Sequence, residues 1–125
     1  MNLETATHVS FGSGGTAGFA YYGVMTALKN VVGPHSYNGW RQRLRGVAGT
    51  SAGAMYSLWF VLNVPEDPTS AMLSRVDLTR VVSFVNIDQC SRRFGLSDMN
   101  EIRHIIHMIL ECGGLSANAT MMDLY

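Results

Sequence analysis

The stretch GVAGTSAGAM, residues 46–55, holds a serine between two glycines in the pattern G-x-S-x-G at residues 49–53. A short apolar run precedes the pattern, and a longer apolar run over residues 52–64 follows it. A strand, a sharp turn and a helix form the context in which a serine hydroxyl stands clear of the backbone as a nucleophile. We therefore interpret Ser51 as a candidate nucleophile, and Gly49 and Gly53 as the glycines that give its turn room.

A second glycine-rich segment, GSGGTAG at residues 12–18, lies upstream of this serine. Its glycine spacing is not that of a dinucleotide-binding fold, and no lysine follows as in a P-loop. Successive backbone N–H groups in such a loop can stabilise the negative charge that develops in acyl transfer. We therefore favour an oxyanion hole over a nucleotide-binding module, and over a tight turn without chemistry. The candidate donors are the amides of Gly14, Gly15 and Thr16, joined by that of Ala52.

The order of the predicted elements indicates the fold class. Residues 8–13 and 44–49 read as short strands, and residues 19–32 and 52–64 as the helices after them. Residues 35–43 read as an exposed connection between the first helix and the second strand. Strands that alternate with helices indicate a parallel sheet covered by helices, which is an α/β fold.

Helices also dominate the predicted second half of the chain. One is expected to start at Asp67-Pro68, another is expected to be capped by Ser97 or Asp98, and residues 81–87 remain ambiguous. The helix after residue 98 carries an apolar stripe and should end at Gly113-Gly114. Thr120 and Asp123 have the spacing of a further helix start. The stripe consists of Ile102, Ile105, Ile106, Ile109 and Leu110.

The composition narrows the function class. The 125 residues suffice for one domain, and 47% of them are apolar. Nine basic residues balance nine acidic ones, so the chain lacks the basic surplus of nucleic-acid-binding proteins. Two cysteines fit neither a zinc spacing nor a disulfide framework. The start of the sequence does not resemble a secretory signal, and the longest apolar run is too short to span a bilayer, so we expect a cytoplasmic protein.

Taken together, the two glycine segments resemble the patatin-like phospholipase family. That family carries a segment G-G-G-x-R/K-G after its first strand and an elbow G-x-S-x-G after a later strand. Here the first is SGGTAG at residues 13–18, followed by the family's Gly-Val-x-x-x-Leu pattern at Gly23, Val24 and Leu28. The second is GTSAG at residues 49–53. Ser13 replaces the family's first glycine, and Ala17 replaces its basic residue.

The resemblance implies a three-layer α/β/α sandwich with a mainly parallel sheet, and hydrolysis of acyl esters of lipids or phospholipids. It assigns Ser51 as the nucleophile of a Ser–Asp dyad and requires neither metal nor organic cofactor. The family's aspartate lies in an Asp-Gly pair, and this sequence contains no such pair. We therefore expect residues 1–125 to be the N-terminal part of a single patatin-like domain, truncated before the base.

Two other functions stay open beside this one. A catalytically inactive, truncated patatin-like protein could act as a binding module, and it would show no turnover even when extended with its natural downstream sequence. An acyltransferase with a similar elbow usually places histidine next to the serine, where this chain has Thr50.

Several other side chains are candidates for a functional role. We favour structural roles for four histidines over a triad base, and over a metal site at His104 and His107 that lacks a third ligand. Residues 40–45, WRQRLR, could rest on an anionic membrane surface with Trp40 at the headgroups, a peripheral contact that we rank below a solvated approach to the strand. Tyr21 and Tyr22 could line an acyl pocket, with core packing as the favoured alternative. The histidines are His8, His35, His104 and His107.

Overall fold

The computed structural model describes residues 3–65, 70 and 100–124. The chain divides into two compact units, Met1–Val61 and Leu62–Tyr125, and each is described by itself. The first unit contains two strands, three α-helices and two short 3₁₀-helices. In chain order these are a 3₁₀-helix Leu3–Thr5, β1 His8–Phe11, a 3₁₀-helix Gly15–Phe19, α1 Ala20–Val32, α2 Pro34–Gln42, β2 Gly46–Gly49 and α3 Ala52–Val61.

Strands β1 and β2 pair in parallel, which confirms the α/β class with a parallel sheet. The register runs from His8 opposite Gly46 to Phe11 opposite Gly49. Phe11 is buried and its neighbour Ser10 is exposed, as the alternation of side chains along a strand requires. The carboxyl ends of both strands lie side by side, so the two glycine segments that follow them leave the sheet at the same edge.

The segment between α1 and β2 is a helix, and its prediction as an exposed connection was wrong. Pro34 occupies the start of α2, where its fixed φ angle suits a helix, and Gly33 before it has a φ of 85°. Tyr37 and Trp40, three residues apart and thus on one face, are buried. Most residues around these two aromatics are polar, so the sequence did not indicate that one face of this segment is buried.

Trp40 is a core residue, so the solvated approach favoured for residues 40–45 was wrong at this residue, as was the lower-ranked alternative that placed it at lipid headgroups. Only 3% of its surface is exposed. Its indole Nε1–H donates a hydrogen bond of 3.2 Å to the carbonyl oxygen of Ala6, which satisfies the one polar atom of the ring. This hydrogen bond links α2 to the segment that leads into β1.

Arg41 links α2 to the far end of α3. Its guanidinium donates a hydrogen bond to the carbonyl oxygen of Phe60 and lies 4.7 Å from the centre of the Phe60 ring. The last carbonyls of a helix have no partner inside it and carry partial negative charge, so a cation suits this position. Burial lowers the pKa of Arg41 from its ordinary value.

The core of the first unit is largely aromatic. Phe11 of β1 packs against Phe60 of α3, with 5.5 Å between the ring centres. Trp40 of α2 packs against the same Phe60, with 6.1 Å between the ring centres. Helix α3 ends at Val61, three residues before its predicted end, and Asn63 adopts a left-handed φ of 51° just beyond it. The buried members of this core are Phe11, Met25, Tyr37, Trp40 and Phe60.

In the second unit, α4 spans Asn100–Cys112 and confirms the predicted helix with its apolar stripe. Ile105, Ile109 and Leu110 on that stripe are buried. Gly114 has a φ of 83°, and the amide of Leu115 bonds to the carbonyl of Leu110 at 2.9 Å, which closes the helix as predicted. The predicted features at Asp67-Pro68, Ser97, Asp98 and residues 81–87 lie outside the described residues.

The predicted start at Thr120 is confirmed by a 3₁₀-helix at Met121–Leu124. The carboxylate of Asp123 accepts hydrogen bonds from the amide of Thr120 at 2.6 Å and from its hydroxyl at 2.8 Å. Both bonds favour the ionised form and lower the pKa of Asp123. This carboxylate therefore acts as a local cap.

Candidate active site

Ser51 lies at the turn between β2 and α3 in a conformation that few non-glycine residues adopt. Its φ is 56°, in the left-handed region that costs an L-residue roughly 1–2 kcal/mol. The amide of Thr50 bonds to the carbonyl of Phe11 at 3.1 Å, which holds the chain at the sheet until the residue before the serine. The amide of Ala54 then bonds to the carbonyl of Ser51 at 2.9 Å in the first turn of α3. The strained residue is thus fixed from both sides, and it is exposed.

Steric crowding explains the glycines on either side of Ser51. A Cβ at Gly49 would overlap the carbonyl group of Gly53 and the hydroxyl oxygen of Ser57. A Cβ at Gly53 would overlap the carbonyl oxygens of Phe11 and Gly12. Both glycines are therefore required by close backbone approach, as the pattern G-x-S-x-G predicts.

The first glycine segment folds back on itself before α1. The amide of Ala17 bonds to the carbonyl of Gly14 at 2.8 Å, and Gly15 has a φ of 49°. Gly15 and Thr16 open the 3₁₀-helix Gly15–Phe19, and the first amides of a helix have no acceptor within it. These N–H groups are therefore available to an external acceptor.

The two glycine segments meet at Gly18 and Ala52. A Cβ at Gly18 would lie 2.6 Å from the Cβ of Ala52, so only a residue without a side chain fits there. Ala52 is the first residue of α3, where the helix dipole presents partial positive charge. The structure thus brings the loop with Gly14, Gly15 and Thr16 against the start of the helix that follows Ser51.

This combination of a strained serine and a glycine loop at one sheet edge agrees with the comparison to known families. The chain matches the family model described as Patatin-like phospholipase over residues 9–118. The chain belongs to the patatin-like phospholipase family. No significant match was found to a curated protein or to a solved structure. The matched region includes both glycine segments and extends over α4.

The patatin-like phospholipase family is a family of lipid acyl hydrolases, and membership of it implies lipids as the substrate class. Among the helices of the described residues, none is both long and apolar enough to cross a membrane.

Five aromatic rings from β1, α1 and α3 pack against one another, and the sequence reading recognised this group only in part. The ring of Tyr21 lies 5.4 Å from that of Phe11 in an edge-to-face arrangement. The centre of the Tyr56 ring lies 4.9 Å from that of Phe11 and 4.6 Å from that of Trp59, on which Tyr56 stacks. Tyr22, the other candidate for an acyl pocket, packs edge-on against Trp59, with 5.8 Å between the ring centres. Both Tyr21 and Tyr22 are half-buried in these contacts.

Tyr56 is a residue that sequence reasoning missed. Its hydroxyl oxygen is buried, and it has no hydrogen-bond partner among the described residues. Burial, followed by the neighbouring Tyr37 and Tyr22, raises the pKa of Tyr56 above its ordinary value. The apolar run over residues 52–64 indicated only a buried helix, and it gave no signal that this hydroxyl would be left unpaired.

The structure does not bring His8 to the serine. His8 pairs with Gly46 at the start of both strands, and Ser51 follows their other end, so about 10 Å of strand separates the two levels. The ring nitrogen Nδ1 of His8 is bonded to the hydroxyl of Thr7 at 2.9 Å. His35 is an exposed residue of α2, and His104 and His107 lie on α4 in the second unit.

Within the described parts of the chain, no three His, Cys, Asp or Glu side chains come together as a metal site. Asp123 is occupied by its cap, and the other four aspartates lie outside the described residues. Residues 3–61 contain no aspartate, so the base of the dyad that the family resemblance implies is not among the described residues of the first unit.

Proposed function

We propose that this protein hydrolyses acyl esters of lipids through Ser51. The observation that carries the proposal is the left-handed φ of 56° at Ser51, held between β2 and α3 with the glycine loop packed on the same helix. A residue kept in a strained conformation by its surroundings is a common feature of functional sites. This backbone conformation would keep the hydroxyl of Ser51 exposed at the sheet edge, where it can attack the substrate.

The reaction would run in two halves. The Oγ of Ser51 attacks the ester carbonyl carbon while its proton passes to a carboxylate base, and the carbonyl oxygen becomes an oxyanion. The amides of Gly14, Gly15 and Thr16, with that of Ala52, donate hydrogen bonds to the oxyanion. The tetrahedral intermediate collapses, and the alcohol leaves with the proton. Water then attacks the acyl-serine, returns the proton through the base and releases the fatty acid.

The base is the part that residues 1–125 leave open. The sequence has no Asp-Gly pair, and we propose that the aspartate of the dyad comes from the same domain beyond Tyr125. Residues 1–125 would then be the N-terminal part of one patatin-like domain. A catalytically inactive binding module is the second candidate, and the same missing pair favours it.

The test is release of fatty acid from phospholipid vesicles and from triacylglycerol emulsions. It compares the 125-residue chain with the natural reading frame extended past Tyr125. Ser51→Ala is expected to abolish release, whereas Ser36→Ala, an exposed position on α2, leaves it unchanged. Turnover by the extended protein that depends on Ser51 supports the hydrolase. Binding of vesicles without turnover in either form would establish the binding module instead.

A further inference from the structure

Tyr21 makes a contact with the first glycine segment that the proposed reaction has not used. It is the second residue of α1, and its hydroxyl donates a hydrogen bond of 3.0 Å to the carbonyl oxygen of Gly12. The ring below the hydroxyl is fixed by packing, because it lies 5.4 Å from the buried Phe11 and 5.5 Å from Tyr56. A hydroxyl on a ring held in this way is a rigid donor.

The carbonyl that Tyr21 binds lies directly at the turn of Ser51. A Cβ at Gly53 would overlap this oxygen and the carbonyl oxygen of Phe11 next to it. The Phe11 oxygen already accepts from the amide of Thr50 at 3.1 Å. Two consecutive carbonyl groups at the end of β1 thus accept hydrogen bonds. That of Phe11 accepts from the amide of Thr50, and that of Gly12 accepts from the hydroxyl of Tyr21.

Holding the Gly12 carbonyl also sets the direction of the loop that follows. The described backbone contains no cis peptide, and a trans peptide is planar, so its C=O and N–H point in opposite directions. The Gly12 oxygen therefore determines where the Ser13 amide points and how the chain enters Gly14 and Gly15. Glycine has an unusually wide choice of backbone conformations, so this stretch needs an external contact to hold one of them.

We propose that Tyr21 is a positioning residue, whose hydroxyl orients the amides of the oxyanion loop relative to Ser51. The proposal rests on the proposed hydrolase function, because it assigns those amides to the oxyanion. Tyr21 itself does not touch the substrate. Its contribution appears only when the oxyanion forms, so its loss should affect the chemical step and leave substrate binding unchanged.

The first measurement uses the protein extended past Tyr125 and follows the reaction of Ser51 with a fluorophosphonate, whose phosphoryl oxygen takes the place of the oxyanion. Tyr21→Phe is expected to lower the limiting rate of labelling by about 3- to 10-fold, the range for one hydrogen bond, with the half-saturating concentration unchanged. Tyr22→Phe is the matched control, since Tyr22 is the next residue on α1 and packs against Trp59 instead. It should label at the wild-type rate.

The second measurement does not depend on labelling. Backbone order parameters from NMR relaxation should fall at Ser13, Gly14 and Gly15 in Tyr21→Phe and stay unchanged in Tyr22→Phe. If the wild-type protein is not labelled, the proposed nucleophile fails, and the order parameters alone decide the positioning claim. Equal order parameters in Tyr21→Phe and wild type would overturn that claim, as would a change confined to the half-saturating concentration.

Discussion

The two glycine segments of this protein are held in different ways. At the serine turn, Gly49 and Gly53 are required because a side chain at either position would overlap neighbouring backbone atoms. In the first loop, Gly15 has open space around it and is required for its φ of 49° instead. The turn is thus fixed by packing, and the loop by backbone conformation together with the hydroxyl of Tyr21.

This difference explains why one segment resembles its family pattern more closely than the other. The turn retains all features of G-x-S-x-G, because each glycine fills a space that no other residue fits. The loop has Ser13 and Ala17 in place of a glycine and a basic residue, and both are exposed. The function that we propose for this segment rests on backbone N–H groups, so it should tolerate such replacements as long as the conformation is kept.

The largest expected effect is at the packed turn. Gly53→Ala should lower the free energy of unfolding by about 3 kcal/mol, because its Cβ meets two carbonyl oxygens that cannot move without breaking the sheet edge. Gly23→Ala is the control, since Gly23 lies in α1 with no atom near its Cβ position, and it should raise stability by about 0.5–1 kcal/mol. Chemical denaturation measures both. Equal stability of the two variants would contradict the packing argument.

A smaller effect is expected where the two segments touch. Gly18→Ala should cost about 1–2 kcal/mol, because the new Cβ would lie 2.6 Å from that of Ala52. Adding Ala52→Gly removes the second atom of this pair, so the double variant should regain part of the loss. The coupling between the two changes comes from a double-mutant cycle of unfolding free energies. Strict additivity would show that the loop and the helix are not in contact.

In the open loop, Gly15→Ala should cost about 1 kcal/mol through its positive φ alone. Gly15→Asn should cost less, because asparagine tolerates the left-handed region better than alanine. The comparison of the two by thermal denaturation separates conformation from crowding. An equal loss for both residues would point to crowding, which the open space at this position argues against.

The smallest effect is expected at Ser51 itself. Ser51→Gly should be more stable than Ser51→Ala by about 0.5–1 kcal/mol. Glycine relieves the strain at a φ of 56° that alanine keeps, but it loses more conformational entropy on folding, which offsets part of the gain. Both variants lose the hydroxyl, so their difference reports conformation only. If Ser51→Ala proves the more stable of the two, the left-handed conformation is absent in solution.

The sequence revealed the serine turn because its signals are local. A glycine two residues before and two after Ser51, between two apolar runs, describes a short-range steric requirement, and the structure has that requirement at Gly49 and Gly53. The strands, the helix after each of them and the caps at Gly114 and Thr120 were predicted for the same reason. Each depends on residues within one or two turns of chain.

The features that were missed depend on distant contacts. Trp40 is buried because it reaches the carbonyl of Ala6, 34 positions earlier, and no local pattern encodes that bond. The sequence alone suggests that Arg41 is a surface cation. In the folded protein its guanidinium binds a carbonyl oxygen near the end of α3. The unpaired hydroxyl of Tyr56 likewise results from how α3 packs in the first unit.

The central claim is that the folded chain presents Ser51 as a nucleophile. The most direct test uses the folded protein extended in its natural reading frame past Tyr125, so that it includes the proposed base. It is incubated with a fluorophosphonate, and the peptide that carries residues 46–55 is analysed by mass spectrometry. We expect one phosphonyl group on Ser51, no adduct in Ser51→Ala, and no adduct after unfolding in denaturant. A folded protein that remains unmodified at Ser51, or that reacts equally well when unfolded, would contradict the account.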